Sequence, residues 1–269
     1  MEIGTIIIGG GLIGSAAAKY LSQAGETVAV IGPDEPADAG SAVVFASHYD
    51  SGRVQRRVGH NDAMTRLNLL ASEHYGSLQQ DSGIRFHSDA GCLYVHPEGL
   101  NTYLEEAPGR AARFGVDIQV FQDARELANA FPGMSFPSSS CGLYEPSPSG
   151  HIDPRRLIQA QLRLVERAGG LVVRDVVERL VDRPPGIEVS TRQGQTFRAR
   201  RALLSMGAFS RTSGLIRRTL ALTIKSETVL LARVSPEEAR RLEAMPSLLY
   251  DIDVPALEGI YAVAPVQYP

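Results

Sequence analysis

The sequence predicts an α/β fold in which a doubly wound domain of βαβ units is interrupted by a second, α+β domain. Three observations lead to this fold class. A buried strand, a glycine-rich turn, a helix and a second buried strand follow one another within the first 31 residues. This alternation then stops, and it resumes near Asp153. Such a return is expected when one domain is inserted into another.

The start of the chain predicts one βαβ unit. Residues 5–8 are a short, β-branched run bounded by glycines, which is typical of a buried parallel strand. Residues 12–24 are rich in alanine, a strong helix former, and Gly25 suits the left-handed position that ends a helix. Residues 27–31 follow as the second strand. Because such units are right-handed, the segment predicts the opening of a Rossmann-like sheet.

The middle of the chain predicts a different arrangement. Residues 62–80 carry apolar residues at helical spacing, so an amphipathic helix is expected there. Strands are predicted over residues 84–95 and 116–121, on either side of a helix at residues 101–114. The segment 131–148 is rich in proline and serine, and a loop is expected.

The α/β pattern resumes after this segment. Asp153 suits the N-cap position and Pro154 the first turn of a helix over residues 154–168. Further strands are predicted over residues 171–177, 187–190, 196–198, 202–205 and 259–265.

These patterns divide the chain into two predicted domains. A discontinuous nucleotide-binding domain comprises residues 1–82 and 146–215, and a substrate domain comprises residues 83–145 and 216–269. Because the chain ends just as its last predicted strand finishes, we expect that a C-terminal portion of the substrate domain is missing.

Composition restricts the class of partner. The chain has 27 basic and 30 acidic residues and a net charge of -3, which gives no basic field for nucleic acid or an anionic membrane surface. No apolar stretch approaches the roughly 20 residues needed to span a bilayer. The N-terminus lacks the basic region of a signal peptide, so a cytoplasmic location is expected. The expected partners are small molecules, and either a homo-oligomer or a hetero-oligomer is compatible with the sequence.

The cysteines and histidines do not predict a metal site. Cys92 and Cys141 are the only cysteines, and they lack the close pairing of a zinc site. We expect both to be reduced structural thiols, because free cysteine usually behaves as a small buried hydrophobe. None of the six histidines lies three to five residues from another, so no metal is expected.

A glycine-rich loop follows the first strand. Gly9, Gly11 and Gly14 have the spacing of a dinucleotide-binding turn, and Gly10, Leu12 and Ile13 complete the loop. The first glycine permits a tight turn, the second lets the backbone approach a pyrophosphate, and the third allows the helix to pack closely on the strand. A glycine turn without a ligand is the alternative. The spacing alone does not distinguish FAD from NAD(P).

The residue that binds the adenosine ribose departs from the usual pattern. An acidic residue normally ends the second strand of such a unit. Gly32 occupies that position here, and Asp34 follows two residues later across Pro33. Asp34 either reaches the ribose hydroxyls or belongs to a solvated turn, and the sequence leaves both open.

Four segments together resemble the D-amino-acid-oxidase family of FAD-dependent oxidoreductases, which includes sarcosine oxidase and glycine oxidase. Residues 47–56 are similar to its S-H-x-x-x-x-R-x-x-R segment, and residues 150–154 to its G-x-[IV]-D-P segment. Residues 205–210 are similar to its A-A-G-A-W-S segment, and Val177 begins a stretch that resembles its adenine-contacting strand end. The four segments occur in the order found in the family.

This resemblance implies FAD as the cofactor and assigns roles to individual residues. Arg53 is expected against the flavin ring, and Arg56 is expected to bind a substrate carboxylate, for which a guanidinium offers a planar fork. The alternative is that both belong to a solvated basic run. His48 is expected to position the substrate amine or the flavin, or to be a structural donor. Ser47, Val177 and Gly207 are expected to contact the cofactor.

The implied function is FAD-dependent oxidation of a carbon–nitrogen bond in a secondary amine or amino acid. The product is an imine that water hydrolyses, and oxygen is one candidate acceptor. Two alternatives remain: a noncatalytic FAD-binding subunit of an amine dehydrogenase complex, and an NAD(P)-dependent reductase.

Overall fold

A computed structural model describes residues 2–38, 43–218, 220–226, 228–254 and 257–268, with the backbone alone for residues 253, 254, 257 and 258. Residue contacts divide the chain into two units. The first unit comprises Met1–Tyr49, Leu78–Arg85 and Pro154–Leu230, and the second comprises Asp50–Ser77, Phe86–Asp153 and Leu231–Pro269. Residues 50–77 and 146–153 thus lie in the second unit, and residues 83–85 and 216–230 in the first, unlike the division drawn from sequence. The roles of the two domains stay predictions.

The described residues form helices and strands as follows. The helices are α1 (Leu12–Gln23), α2 (Asp62–Ser82), α3 (Thr102–Phe114), α4 (Ala124–Ala130), α5 (Pro154–Arg167) and α6 (Pro236–Arg241). The strands are β1 (Ile3–Ile8), β2 (Val28–Ile31), β3 (Arg53–Gln55), β4 (His87–Ser88), β5 (Cys92–His96), β6 (Gln119–Phe121), β7 (Cys141–Glu145), β8 (Gly150–Ile152), β9 (Leu171–Val173), β10 (Val177–Arg183), β11 (Gly186–Thr191), β12 (Thr196–Leu204), β13 (Ser247–Val254) and β14 (Leu257–Ala262).

The first unit contains a six-stranded sheet in the order β10-β11-β12-β1-β2-β9. Strands β12, β1, β2 and β9 run parallel, while β10, β11 and β12 form an antiparallel meander. Successive side chains of a strand point to opposite faces. Ile7 therefore packs with α1 and α5 on one face, and Ile6 belongs to the apolar cluster on the other. This parallel core confirms the α/β fold class and the first βαβ unit.

The second unit contains a five-stranded sheet, β14-β13-β5-β7-β6, and a three-stranded sheet, β3-β8-β4. Its main core cluster joins the loop after β3 to α3 and to the larger sheet, through Val58, Tyr94, Tyr103, Leu104 and Leu143. Asn101 caps α3, because its side chain accepts a hydrogen bond from the Leu104 amide. Gly115 ends α3 in the left-handed conformation.

Four predicted helices are confirmed to within two residues at each end, namely α1, α2, α3 and α5. The loop predicted over residues 131–148 is wrong, because it contains β7, a strand between β5 and β6. The strand is short and flanked by proline and serine, which are typical of loops. Its own glycine and glutamate are uncommon in strands, so the sequence does not predict it. The short helices α4 and α6 and the strands β3, β8 and β13 were also not predicted.

Several strand boundaries also need correction. Strand β6 begins at Gln119 and not at residue 116, and the last predicted strand, 259–265, is β14, which begins at Leu257 and ends at Ala262. The predicted strand 84–95 is divided into β4 and β5, and residues 171–177 are divided between β9 and the start of β10. Residues 202–205 are not a separate strand, since β12 continues to Leu204. The continuous strand lets one segment pair with both β11 and β1, which local sequence cannot reveal.

Both cysteines are free and buried, as predicted. Within the described part of the chain, no helix has the length and apolar character needed to cross a membrane.

Candidate functional site

The glycine loop lies at the carboxyl end of β1 in the first unit. Gly9 has a φ of +109°, a conformation that favours glycine, and its amide donates to the Ile31 carbonyl at 2.8 Å. A Cβ at Gly14 would lie 1.8 Å from the Gly9 carbonyl oxygen. Gly9 therefore sets the turn, and Gly14 lets α1 approach the strand.

Gly11 serves a different purpose, because it has free space around it. Among the described residues outside the loop and helix backbone, the only atom within 4 Å of a Cβ built there is His48 Nδ1, at 4.0 Å. Gly11 is the N-cap of α1, where no side chain of the described residues caps the helix and the first turn holds no acidic residue. The first N–H groups of a helix lack intrahelical partners and attract anions. The loop thus fits the pyrophosphate of FAD.

A cavity of about 280 Å³ opens beside this loop, within the first unit. It lies between the ends of β2 and β9 and the start of α5. Its polar lining combines charged side chains and a histidine, namely Asp34, Glu35, His48, Arg155 and Arg174. A cavity at the carboxyl ends of parallel strands is the usual place for a nucleotide in such sheets.

The missing acidic residue after β2 has a steric explanation. A Cβ at Gly32 would lie 2.6 Å from the Gly10 amide nitrogen, so the close approach of the two backbones requires glycine. Asp34 lines the cavity instead and pairs with Arg174 at 3.2 Å, with both side chains largely exposed. The contact of Asp34 with the ribose stays a prediction, since an exposed ion pair also fits a solvated turn.

Glu35 is held more firmly than Asp34. Arg155 donates to it from Nε at 2.7 Å and from a terminal nitrogen at 2.6 Å, and also donates to the Tyr49 carbonyl. These hydrogen bonds lower the pKa of Glu35, with help from the charges of Arg155 and His48 and against the effect of burial. The pair fixes the segment after β2 against the first turn of α5.

The remaining predicted cofactor residues of the first unit occupy three places. His48 lines the cavity and packs edge-on against Tyr49, with the ring centroids 4.7 Å apart, while Ser47 beside it is exposed. Gly207 opens a short 3-10 turn after β12, with a φ of +52°. Just before it, Ser205 donates to the Gly9 carbonyl at 2.9 Å, so two of the motifs meet. Val177 is buried at the start of β10.

The predicted arginines, Arg53 and Arg56, lie in the second unit, where their segment meets the segment of residues 150–154. Strand β3, which begins with Arg53, pairs with β8 of the G-x-[IV]-D-P segment. Arg53 forms an ion pair with Asp50 at 2.8 Å. Arg56 follows β3, and its guanidinium carbon lies 4.9 Å from the centroid of the Tyr103 ring. In the described part of the chain, no carboxylate forms an ion pair with Arg56.

A buried glutamate holds the backbone next to Arg56. Glu145 is 1% exposed, and its carboxylate accepts from the amides of Arg57 at 2.7 Å and Val58 at 3.1 Å. Ser149 donates a third hydrogen bond at 2.7 Å. Burial raises the pKa of Glu145, and these hydrogen bonds and the charge of Arg56 oppose that effect. The carboxylate acts as a clamp on the segment after β3.

A histidine and two tyrosines complete the surroundings of Arg56. The His60 ring packs edge-on against Tyr103, with centroids 5.2 Å apart, and the Tyr94 ring lies 4.6 Å from Tyr103. Burial lowers the pKa of His60, and the positive charges of Arg56 and Arg110 lower it further, while Asp251 opposes them. These surroundings favour the neutral imidazole of His60 over the charged one.

Sequence reasoning missed most of these neighbours. Arg155 adjoins a recognised motif, but nothing in the sequence connects it with Glu35, 120 positions earlier. Glu145 lies in a segment predicted as a loop, and Tyr103 lies in the predicted helix 101–114, to which the sequence assigns no functional role. No local pattern marks them, since each acts on a residue distant in the chain.

Comparison with known proteins gives a family match over nearly the whole chain. The model of a family described as "FAD dependent oxidoreductase" matches residues 5–265. N-methyl-L-tryptophan oxidase of Yersinia pestis (strain Pestoides F) is 24% identical over 211 residues, which are 78% of this chain and 54% of the relative. The chain thus spans about half the length of the curated relatives it matches.

Solved structures share the fold. Glycine oxidase from Geobacillus kaustophilus matches with a TM-score of 0.62 and 18% identity, over 79% of this chain and 57% of that chain. A modified fructosyl peptide oxidase from Aspergillus nidulans matches with a TM-score of 0.73 and 17% identity, over 99% and 62%.

Proposed function

This chain belongs to the FAD-dependent oxidoreductase family, and we propose that it carries the FAD site and the carboxylate-binding arginine of an enzyme that oxidises a carbon–nitrogen bond in an amino acid or secondary amine. The family, the FAD cofactor and the oxidoreductase class predicted from the motifs are confirmed by the family match. The match favours FAD over the NAD(P) alternative. The substrate, the acceptor and the roles of single residues are parts of the proposal.

The first unit is proposed to hold FAD through its backbone. The pyrophosphate lies against Gly10, Gly11 and the first turn of α1, and Asp34 accepts from the ribose hydroxyls. His48, beside Gly11, is assigned to positioning the cofactor, which its place in the cavity supports better than direct contact with substrate. Ser47, Val177 and Gly207 are assigned to further cofactor contacts, as the resemblance implies.

The proposed substrate class rests on the surroundings of the Arg56 guanidinium. Its guanidinium is partly desolvated and lies over an aromatic ring, and in the described residues it has no carboxylate as an ion-pair partner. An arginine held in this way lacks a counter-anion, and a carboxylate on the substrate supplies one. Arg53 differs, since Asp50 already neutralises it. Arg53 is assigned to the flavin on the resemblance alone.

The chain's residues orient the substrate, and the cofactor supplies the oxidising chemistry. When bound, FAD provides the electron sink that takes a hydride equivalent from the carbon beside the amine. Arg56 fixes the carboxylate and thereby limits the positions of the neighbouring carbon and nitrogen. Water then hydrolyses the imine that leaves.

The test compares two substrates that differ only in the carboxylate, N-methyl-L-tryptophan and N-methyltryptamine. Truncating one member of a buried charge pair costs roughly 2–5 kcal/mol, so Arg56→Ala should lower kcat/KM for the amino acid by about 30-fold or more. The amine should lose little. Arg56→Lys should restore only part of the loss, because lysine lacks the planar fork. Equal proportional losses for both substrates would refute the carboxylate role.

The alternative of a noncatalytic FAD-binding subunit is separated by the same assay. Steady-state turnover by the purified single chain with either substrate would exclude it. If the single chain binds FAD but shows no turnover, and turnover appears when a partner protein is added, the noncatalytic subunit is favoured over an autonomous enzyme.

A further inference from the structure

The segment that follows β3 is fixed on two sides, which determines where Arg56 can lie. Glu145 accepts from the amides of Arg57 and Val58. From α3, the Tyr103 hydroxyl donates to the Val58 carbonyl at 3.0 Å. Immediately after Arg56, the backbone is thus hydrogen-bonded through the amides of Arg57 and Val58 and through the Val58 carbonyl.

The ring of Tyr103 is itself held in place. Tyr103 is 7% exposed, and its ring lies against Tyr94. The Tyr94 hydroxyl donates to Asp251 at 2.8 Å and accepts from Asn101 at 2.7 Å. Asn101 also donates to Asp251, at 3.1 Å. The hydrogen-bonded network prevents Tyr94 from turning, and Tyr94 in turn restricts Tyr103.

We propose that Tyr103 is a positioning residue, whose ring holds the Arg56 guanidinium in the orientation that binds a substrate carboxylate. This inference rests on the proposed function of Arg56. A cation over the face of a tyrosine is attracted by the ring quadrupole. The N–H donors at the edge of the guanidinium stay available, and they match a carboxylate in two parallel hydrogen bonds.

Preorganisation explains why such a ring matters. A free arginine side chain loses rotamer freedom when it binds, and this loss weakens the complex. An arginine already held on a ring loses less. The hydroxyl and the ring of Tyr103 therefore have separate roles: the hydroxyl holds the backbone at Val58, and the ring orients the guanidinium.

The test uses a probe that binds without being oxidised. Indole-3-propionate carries the carboxylate but no amine, and indole-3-propanamide is its neutral counterpart. Calorimetry on the full FAD-loaded chain gives both dissociation constants. Tyr103→Leu should weaken the carboxylate about 3- to 30-fold, the range of a cation–π interaction, and leave the amide within twofold. Tyr103→Phe keeps the ring and should bind the carboxylate within about threefold of the wild type.

A second variant preserves the shape of the core. Replacing Tyr103 with 3,4,5-trifluorophenylalanine removes most of the negative potential of the ring face, and it should weaken carboxylate binding relative to Tyr103→Phe. Equal affinity of these two variants would overturn the inference, as would equal losses for carboxylate and amide in Tyr103→Leu. If Arg56→Ala also leaves carboxylate binding unchanged, the proposed function of Arg56 fails. If only Arg56→Ala weakens it, the positioning role of Tyr103 alone fails.

Discussion

The cavity of the first unit balances its charges within the chain, whereas the arginine site of the second unit does not. Beside the glycine loop, Glu35 pairs with Arg155 and Asp34 with Arg174. In the second unit, Arg56 lies on an aromatic ring, and the nearest buried carboxylate, Glu145, is used by backbone amides. The first arrangement suits a cofactor bound largely through backbone groups, and the second suits a small anion that completes the charge.

The two regions also differ in how they combine their motifs. In the first unit, the glycine loop meets the segment at Ser205, which donates to Gly9. In the second, β3 pairs with β8, so that the R-x-x-R and G-x-[IV]-D-P segments become neighbouring strands. The former contact is a side-chain hydroxyl bonded to a backbone carbonyl, and the latter is backbone pairing of two strands. Substitutions should separate cofactor retention, stability and carboxylate binding.

The largest effect is expected in the glycine loop. Gly11 has a φ of -71°, which any residue adopts, and among the described residues outside the loop and helix backbone only His48 comes within 4 Å of a Cβ built there. Gly11→Val should therefore fold but lose FAD, because a branched side chain occupies the approach of the pyrophosphate. The absorbance spectrum of the purified protein, together with its urea unfolding curve, measures both properties. Undiminished FAD in a folded variant would contradict the assignment.

Gly14→Ala is the matched control for that experiment. Its Cβ would lie 1.8 Å from a backbone oxygen, so the helix must move away from the strand. Overpacking of this kind costs typically about 1–3 kcal/mol in free energy of unfolding. Loss of FAD without loss of stability in Gly14→Ala would break the distinction between the two glycines.

The second largest effect should appear at the buried clamp of the second unit. Both carboxylate oxygens of Glu145 accept from backbone amides, so Glu145→Gln places an NH₂ group against one of these donors. An unmade buried hydrogen bond costs about 1–3 kcal/mol, and the free energy of unfolding should fall by that amount. Glu73→Gln, on the exposed face of α2 and away from its ends, should change it by less than about 0.5 kcal/mol. Equal unfolding curves for the two variants would show that the clamp does not contribute.

The smallest effect is a pKa change at His60. Burial lowers the pKa of His60 from 6.5, and Arg56 is the charge that lowers it most. Removing a positive charge favours the protonated imidazole, so Arg56→Ala should raise the pKa of His60. An NMR titration of the histidine ring protons follows this directly. Arg53→Ala is the control, because Arg53 pairs with Asp50 and the charges that act on His60 are those of Arg56, Arg110 and Asp251. Identical shifts in the two variants would place Arg56 away from His60.

Local sequence was sufficient where one segment determines its own structure. The helices α1, α2, α3 and α5 follow from apolar spacing and from capping residues such as Pro154 and Gly25, which act on their immediate neighbours. The glycine loop follows from three positions within six residues, because turn geometry and helix capping are local. The same reasoning failed at β7, whose strand character comes from its place between β5 and β6 and not from its own residues.

By itself, the sequence determined the βαβ opening, the glycine loop, the arginine segment and, through four ordered motifs, the family. Only the tertiary structure decided why Gly32 replaces an acidic residue, which carboxylate holds Arg155, and what lies against Arg56. Glu145 and Tyr103 reach the segment after Arg56 from 87 and 45 positions away in the chain. Such contacts have no local signature, because the energy that selects them arises when distant segments are buried together.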